Sequence, residues 1–86
     1  MFELAQCYPN PFNPTATIRY RLSKSSPVKL AIYNLIGHEV ELLVKEEQPA
    51  GSYELTWDAS HHASGIYFCQ LSAGSYSSVK KMLLVK

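Results

Sequence analysis

From Thr17 to the end of the chain, apolar and polar side chains alternate with a period of two, interrupted at short intervals by turn-forming residues. That period belongs to a β-strand with one face in a core and one toward solvent, whereas a helix would repeat near 3.6. Ile18, Tyr20 and Leu22 share one face of the first segment, and Thr17, Arg19 and Arg21 the other. After a turn at Lys24-Ser25-Ser26-Pro27, Val28, Leu30 and Ile32 alternate with Lys29, Ala31 and Tyr33. Asn34-Leu35-Ile36-Gly37 turns the chain, with Gly37 expected at positive φ. Val40, Leu42 and Val44 then oppose Glu39, Glu41 and Leu43, and residues 46–51 read as a polar loop. Tyr53, Leu55 and Trp57 oppose Ser52, Glu54 and Thr56. A loop over Asp58–Ser64 follows, and then Ile66, Phe68 and Gln70 oppose Tyr67, Cys69 and Leu71. Ala73-Gly74 marks a hairpin before a last strand, Tyr76–Val85. Six short strands at regular spacing predict an all-β, antiparallel sandwich or barrel with Trp57 and the inward aliphatics as its core.

The opening of the chain obeys a different rule. Pro9, Pro11 and Pro14 fall within Tyr8-Pro9-Asn10-Pro11-Phe12-Asn13-Pro14, which excludes a helix and a central strand. Residues 1–16 therefore read as a rigid, extended or turning lead-in anchored by Tyr8 and Phe12, with Asn10 and Asn13 suited to tight turns. Residues 17–86 read as the sandwich, and the whole chain as a single domain.

With 47% hydrophobic and 17% charged residues, the 86-residue chain is too apolar for disorder. A net charge of +1 gives no electrostatic footprint for nucleic acid. No apolar run reaches the length of a membrane-spanning helix. Met1-Phe2-Glu3-Leu4 lacks a basic region followed by an apolar stretch, so no export signal is read here. The expectation is either a cytoplasmic domain or, preferably, a piece of a longer exported protein whose signal lies upstream.

Few groups are suited to chemistry. Asp58 is the only aspartate, and His38, His61 and His62 all fall in turns. Asp58, His61 and a serine could make a hydrolytic triad on paper, but no G-x-S-x-G elbow is present, and the chain is expected not to be an enzyme. His61 and His62 are adjacent and would point apart on an extended chain, so no metal site and no cofactor are expected. Tyr33, Tyr67 and Tyr76 could form a sugar-binding platform, against the plainer reading that they pack within a small sandwich. Cys7 and Cys69 could form a disulfide in an exported protein, or remain two small buried thiols.

The last strand carries two readings. Val79, Lys81, Leu83 and Val85 lie on one face; Lys80, Met82, Leu84 and Lys86 lie on the other, so the end of the strand is apolar on both. Either the lead-in covers Met82 and Leu84, or these two are partly exposed and form a docking strip with the flanking lysines.

Taken together, several stretches resemble the type A C-terminal sorting domain of the type IX secretion system. They are Leu4-x-x-x-Tyr8-Pro9-Asn10-Pro11-Phe12-Asn13-Pro14-x-Thr-x-Ile18, Val28-x-Leu30-x-Ile32-Tyr33-Asn34-x-x-Gly37, Gly51-x-Tyr53 with Trp57-Asp58, Ser64-Gly65-Ile66-Tyr67-Phe68, and the closing Lys80–Lys86 run. The resemblance implies a seven-stranded immunoglobulin-like sandwich, with one strand more than the alternation shows, supplied by the lead-in or by Asp58–Ser64. It implies family-motif roles for Pro9, Asn10, Pro11, Phe12, Gly65 and Tyr67. It shifts the weight on the last strand toward docking, with Lys80, Lys81, Met82, Leu84 and Lys86 as translocon-recognition candidates. Such domains sit at the C-terminus of exported proteins of Bacteroidetes-type bacteria. The implied partners are an upstream cargo, the outer-membrane translocon and a sortase-like peptidase. The implied location is the periplasm in transit, then the cell surface or medium. Cys7 departs from the commoner Asn before the Tyr-Pro-Asn-Pro run. The immunoglobulin-like domain of the flagellar hook-capping protein is a near neighbour. A non-catalytic carbohydrate-binding or hook-cap-like assembly module is therefore the alternative function.

Overall fold

The computed structural model describes residues 2–86, which form seven strands and no helix. β1 (Glu3–Leu4), β2 (Thr15–Leu22) and β5 (Gly51–Asp58) make one antiparallel sheet in the order β1-β2-β5. β3 (Ser26–Asn34), β4 (Glu39–Gln48), β6 (Gly65–Ala73) and β7 (Tyr76–Leu84) make the other in the order β4-β3-β6-β7. Their inner faces pack together as the sandwich that alternation predicts. Ile18, Leu22 and Trp57 from the first sheet meet Leu30, Ile32, Leu71 and Met82 from the second, all fully buried. Each such aliphatic side chain contributes about 1.5–3 kcal/mol on leaving water, largely offset by chain entropy.

The seventh strand comes from the lead-in. Glu3 and Leu4 pair with Arg21 and Tyr20, so part of the lead-in joins the first sheet, and β2 begins at Thr15, two residues earlier than alternation predicts. Leu4, Cys7 and Phe12 all belong to the core. The polar stretch 46–51 is also mostly strand, because Ser26, Pro27 and Val28 pair with Gln48, Glu47 and Glu46. Gln48 is buried and accepts a hydrogen bond from the Tyr20 hydroxyl, which explains a polar side chain at that position.

β4 departs from simple alternation. Its register with β3 shifts between Leu30 and Ala31 and again between Ile32 and Tyr33. The first bulge leaves Leu43 as the extra residue between the partners Val44 and Leu42. Val40, Leu43 and Val44 pack on the core, and Leu42 turns to solvent. At the β3–β4 turn, Asn34 Oδ1 accepts from the amides of Ile36 and His38, and Gly37 takes φ +91°, as expected for its position.

Candidate functional site

The free edge of β7 is where the lead-in and the C-terminal run meet. A strand edge offers unpaired N–H and C=O groups to any passing chain unless something covers them. Pro9 and Pro11 have no N–H to donate, so this segment cannot form an ordinary ladder. Asn10 substitutes with its side chain: its Nδ2 donates to the Lys81 carbonyl at 3.0 Å, and its Oδ1 accepts from the Leu83 amide at 3.0 Å. Phe12 then pairs through its backbone, donating to the Leu83 carbonyl at 2.9 Å and accepting from Val85 N–H at 3.0 Å. The result is a parallel bridge between Phe12 and Leu84. Asn10 is therefore not the turn residue that the sequence suggests but an edge clamp. No local pattern reports this, because its partners lie 71 and 73 positions away.

The Phe12 ring is buried 5.6 Å from the Trp57 ring, and Tyr67 meets Trp57 edge-on at 5.5 Å. The Tyr67 hydroxyl donates to the Ala63 carbonyl at 2.6 Å, pinning the loop between β5 and β6. Gly65, at φ +151°, starts β6 in a conformation that favours glycine. Lys86 closes the same end of the sandwich. Its backbone N–H donates to Ser64 Oγ at 3.1 Å, and its Nζ donates to the Ser60 carbonyl at 2.7 Å. Phe12, Trp57, Gly65, Tyr67 and the closing run, far apart in sequence, thus converge on one end of the molecule.

The two faces of β7 have separate fates. Met82 and Leu84 are 0% and 1% exposed and belong to the core, so these two residues cannot form the predicted docking strip. The lead-in covers their end of the strand. Lys81 and Lys86 are exposed, and Lys80 is half-buried on the inward face. The accessible apolar groups lie on the other face: Val79 at 52%, Leu83 at 39% and Val85 at 47%. They continue across the sheet, where Gln70, Phe68 and Ile66 lie opposite Val79, Lys81 and Leu83, and Tyr33 lies opposite Phe68. Alternation groups the residues of each face but not which face the sheet buries, so Val79, Leu83 and Val85 are missing from the sequence-predicted site.

Several other polar groups make local contacts. Asp58 Oδ1 accepts from the Ser60 amide at 2.9 Å, and these Ser60 contacts hold the carboxyl below its usual range. His62 lies against Trp57 and Tyr67 and faces Glu41 at 3.7 Å. Among the described residues no three His, Cys, Asp or Glu side chains cluster as metal ligands. A groove of about 340 Å³ lined by Arg19, Tyr20, Arg21, Tyr53 and Glu54 lies on the first sheet, with Arg19 and Glu54 paired at 3.5 Å. Tyr67 is buried and Tyr33 lies on the opposite face of its sheet, so these two cannot form one sugar platform. Tyr76 stacks on Phe2 at 5.5 Å.

Cys7 and Cys69 are buried free thiols in hydrogen-bonding contact. The Cys69 contact, assisted by the nearby Lys80 charge, holds the Cys7 thiol below its ordinary range against the opposing effect of burial. The contact with Cys7 and burial push the Cys69 thiol up.

No curated protein matches the chain. A family model for the secretion system C-terminal sorting domain matches residues 6–86, a span that takes in the edge clamp, the aromatic cluster and the closing strand. The chain belongs to this family, the C-terminal sorting signal of type IX secretion, and its export is directed toward the cell surface or the extracellular space.

Proposed function

We propose that the domain sorts its cargo by presenting the outward face of β7 to the outer-membrane translocon, with no chemistry of its own. The supporting observation is the division of β7. Its edge is closed by Asn10 and Phe12 and its inner face is buried, while Val79, Lys81, Leu83 and Val85 remain accessible. An apolar ribbon with a central positive charge is a surface that a partner can bury while the lysine keeps its head solvated. The motif residues Phe12, Trp57 and Tyr67 act indirectly by fixing the position of that ribbon. Pro9, Asn10 and Pro11 act by closing the edge, so that neighbouring copies do not pair there before delivery. A sortase-like peptidase would act on the chain ahead of the sandwich, after the translocon has engaged it.

The test is a reporter protein with an export signal, fused to residues 4–86 and expressed in a type IX-competent host. The unaltered fusion should reach the surface or medium. The fusion carrying Leu83→Ala and Val85→Ala should stay in the periplasm while its domain remains folded. Surface delivery of the doubly substituted fusion at the unaltered rate would reject the assignment of this face.

A further inference from the structure

We propose that Cys7 and Cys69 are a disulfide site, which oxidation converts into a covalent staple between the lead-in and β6. Cys7 lies between the β1 contacts and the Asn10 clamp, and Cys69 lies on the inward face of β6 opposite Ile32 and Lys80. Both side chains are fully buried in the same core cluster, and the lead-in runs beside Lys80, the strand partner of Cys69, with Gln6 and Asn10 both donating to the Lys81 carbonyl. A disulfide needs two sulfurs that can close to about 2.05 Å with converging Cβ atoms. Cysteines 62 positions apart (69 minus 7) meet here only because the lead-in folds back across the sandwich.

The proposal draws on the sorting function for one point alone, the oxidising compartment through which an exported chain passes. Cys7 is the attacking sulfur, since it lies outside the strands, on the segment that folds over the sandwich from the far end of the chain. Exchange takes place before the lead-in docks, while Cys7 is still accessible. The Cys7 thiolate attacks one sulfur of an oxidising disulfide, either glutathione or a dithiol oxidase of the thioredoxin class. That S–S bond breaks and a thiolate leaves. Cys69 loses its proton to solvent and attacks Cys7 Sγ in the mixed disulfide, expelling the second thiolate. Two S–H bonds are lost and one S–S bond is gained, and the two electrons reduce the oxidant to two thiols. The closed loop holds down the segment that also closes the β7 edge.

The purified 86-residue chain is incubated with oxidised or reduced glutathione, then unfolded in denaturant and alkylated. The oxidised chain should accept no alkylating group, weigh two hydrogens less, and yield one peptide pair joining Cys7 to Cys69. Its melting temperature should exceed that of the reduced chain by roughly 10 °C. Cys7→Ala and Cys69→Ala should each fold and melt identically with and without reductant. Two alkylated cysteines after oxidation, or only dimers linked between chains, would overturn the proposal. So would an intramolecular bond that leaves the melting temperature unchanged. No readout involves export, so failure here leaves the sorting function standing.

Discussion

The Asn10 side chain clamps Leu83: its Oδ1 accepts the Leu83 amide at 3.0 Å while its Nδ2 holds the Lys81 carbonyl at the same distance. A single side chain thus occupies two edge positions of β7 that a neighbouring strand would otherwise fill. Asn10→Ala frees the Leu83 amide at a solvent-accessible edge and leaves the Lys81 carbonyl with only the longer Gln6 Nε2 contact at 3.4 Å. The cost should be about 1–2 kcal/mol in urea unfolding, with faster amide exchange at Leu83. Unchanged exchange at Leu83 would show that the clamp does not protect the edge.

Phe12 is the anchor of the lead-in. Its ring is buried on Trp57, so Phe12→Ala should cost about 3–5 kcal/mol and change the Trp57 fluorescence of the folded state. Against the margin of a small domain this is a large fraction of total stability. A loss below about 1 kcal/mol would mean that the lead-in contributes little to the core.

The inward and outward residues of β7 should separate stability from sorting. Met82→Ala and Leu84→Ala remove fully buried side chains and should each cost about 2–5 kcal/mol. Leu83→Ala should cost less than about 1 kcal/mol, since its side chain lies on the outward face and is 39% exposed. Denaturant midpoints of the three variants measure the contrast. Equal losses would mean that the two faces are not distinct.

Tyr20 gives the fold an upper pH limit. Burial pushes its phenol up. The neutral phenol is therefore the form the folded state favours. That contribution is complete below the unfolded value of 10.0 and fades as pH rises through the folded value. Tyr20→Phe should flatten the stability-against-pH curve above pH 10 and cost about 1–3 kcal/mol at neutral pH, because Gln48 loses its buried donor. Urea titrations at neutral and alkaline pH test both effects, and an unaltered alkaline slope in the variant would contradict the assignment.

Much of the architecture was legible in the chain because a strand's period of two is a local property. It located six strands, the Gly37 turn and the pairing of residues on each face of β7. Three features were not legible, each for a definite reason. β1 spans two residues, too few to show any alternation. The bulges in β4 exchange Leu42 for Leu43 on the core side, and a bulge is set by the partner strand, not by the strand's own pattern. The burial of Met82 and Leu84 was not legible, because which side of an edge strand is buried depends on what folds over it. Here that is Phe12 and the lead-in, brought in from the far end of the chain.

The central claim is that the translocon contacts the outward face of β7. The most direct measurement places a photoreactive amino acid at Leu83 or, on the opposite sheet, at Arg21, within an exported reporter fusion. Irradiation during secretion should join the Leu83 position to an outer-membrane translocon subunit and leave the Arg21 position unjoined. Crosslinks from Arg21 with none from Leu83 would contradict it.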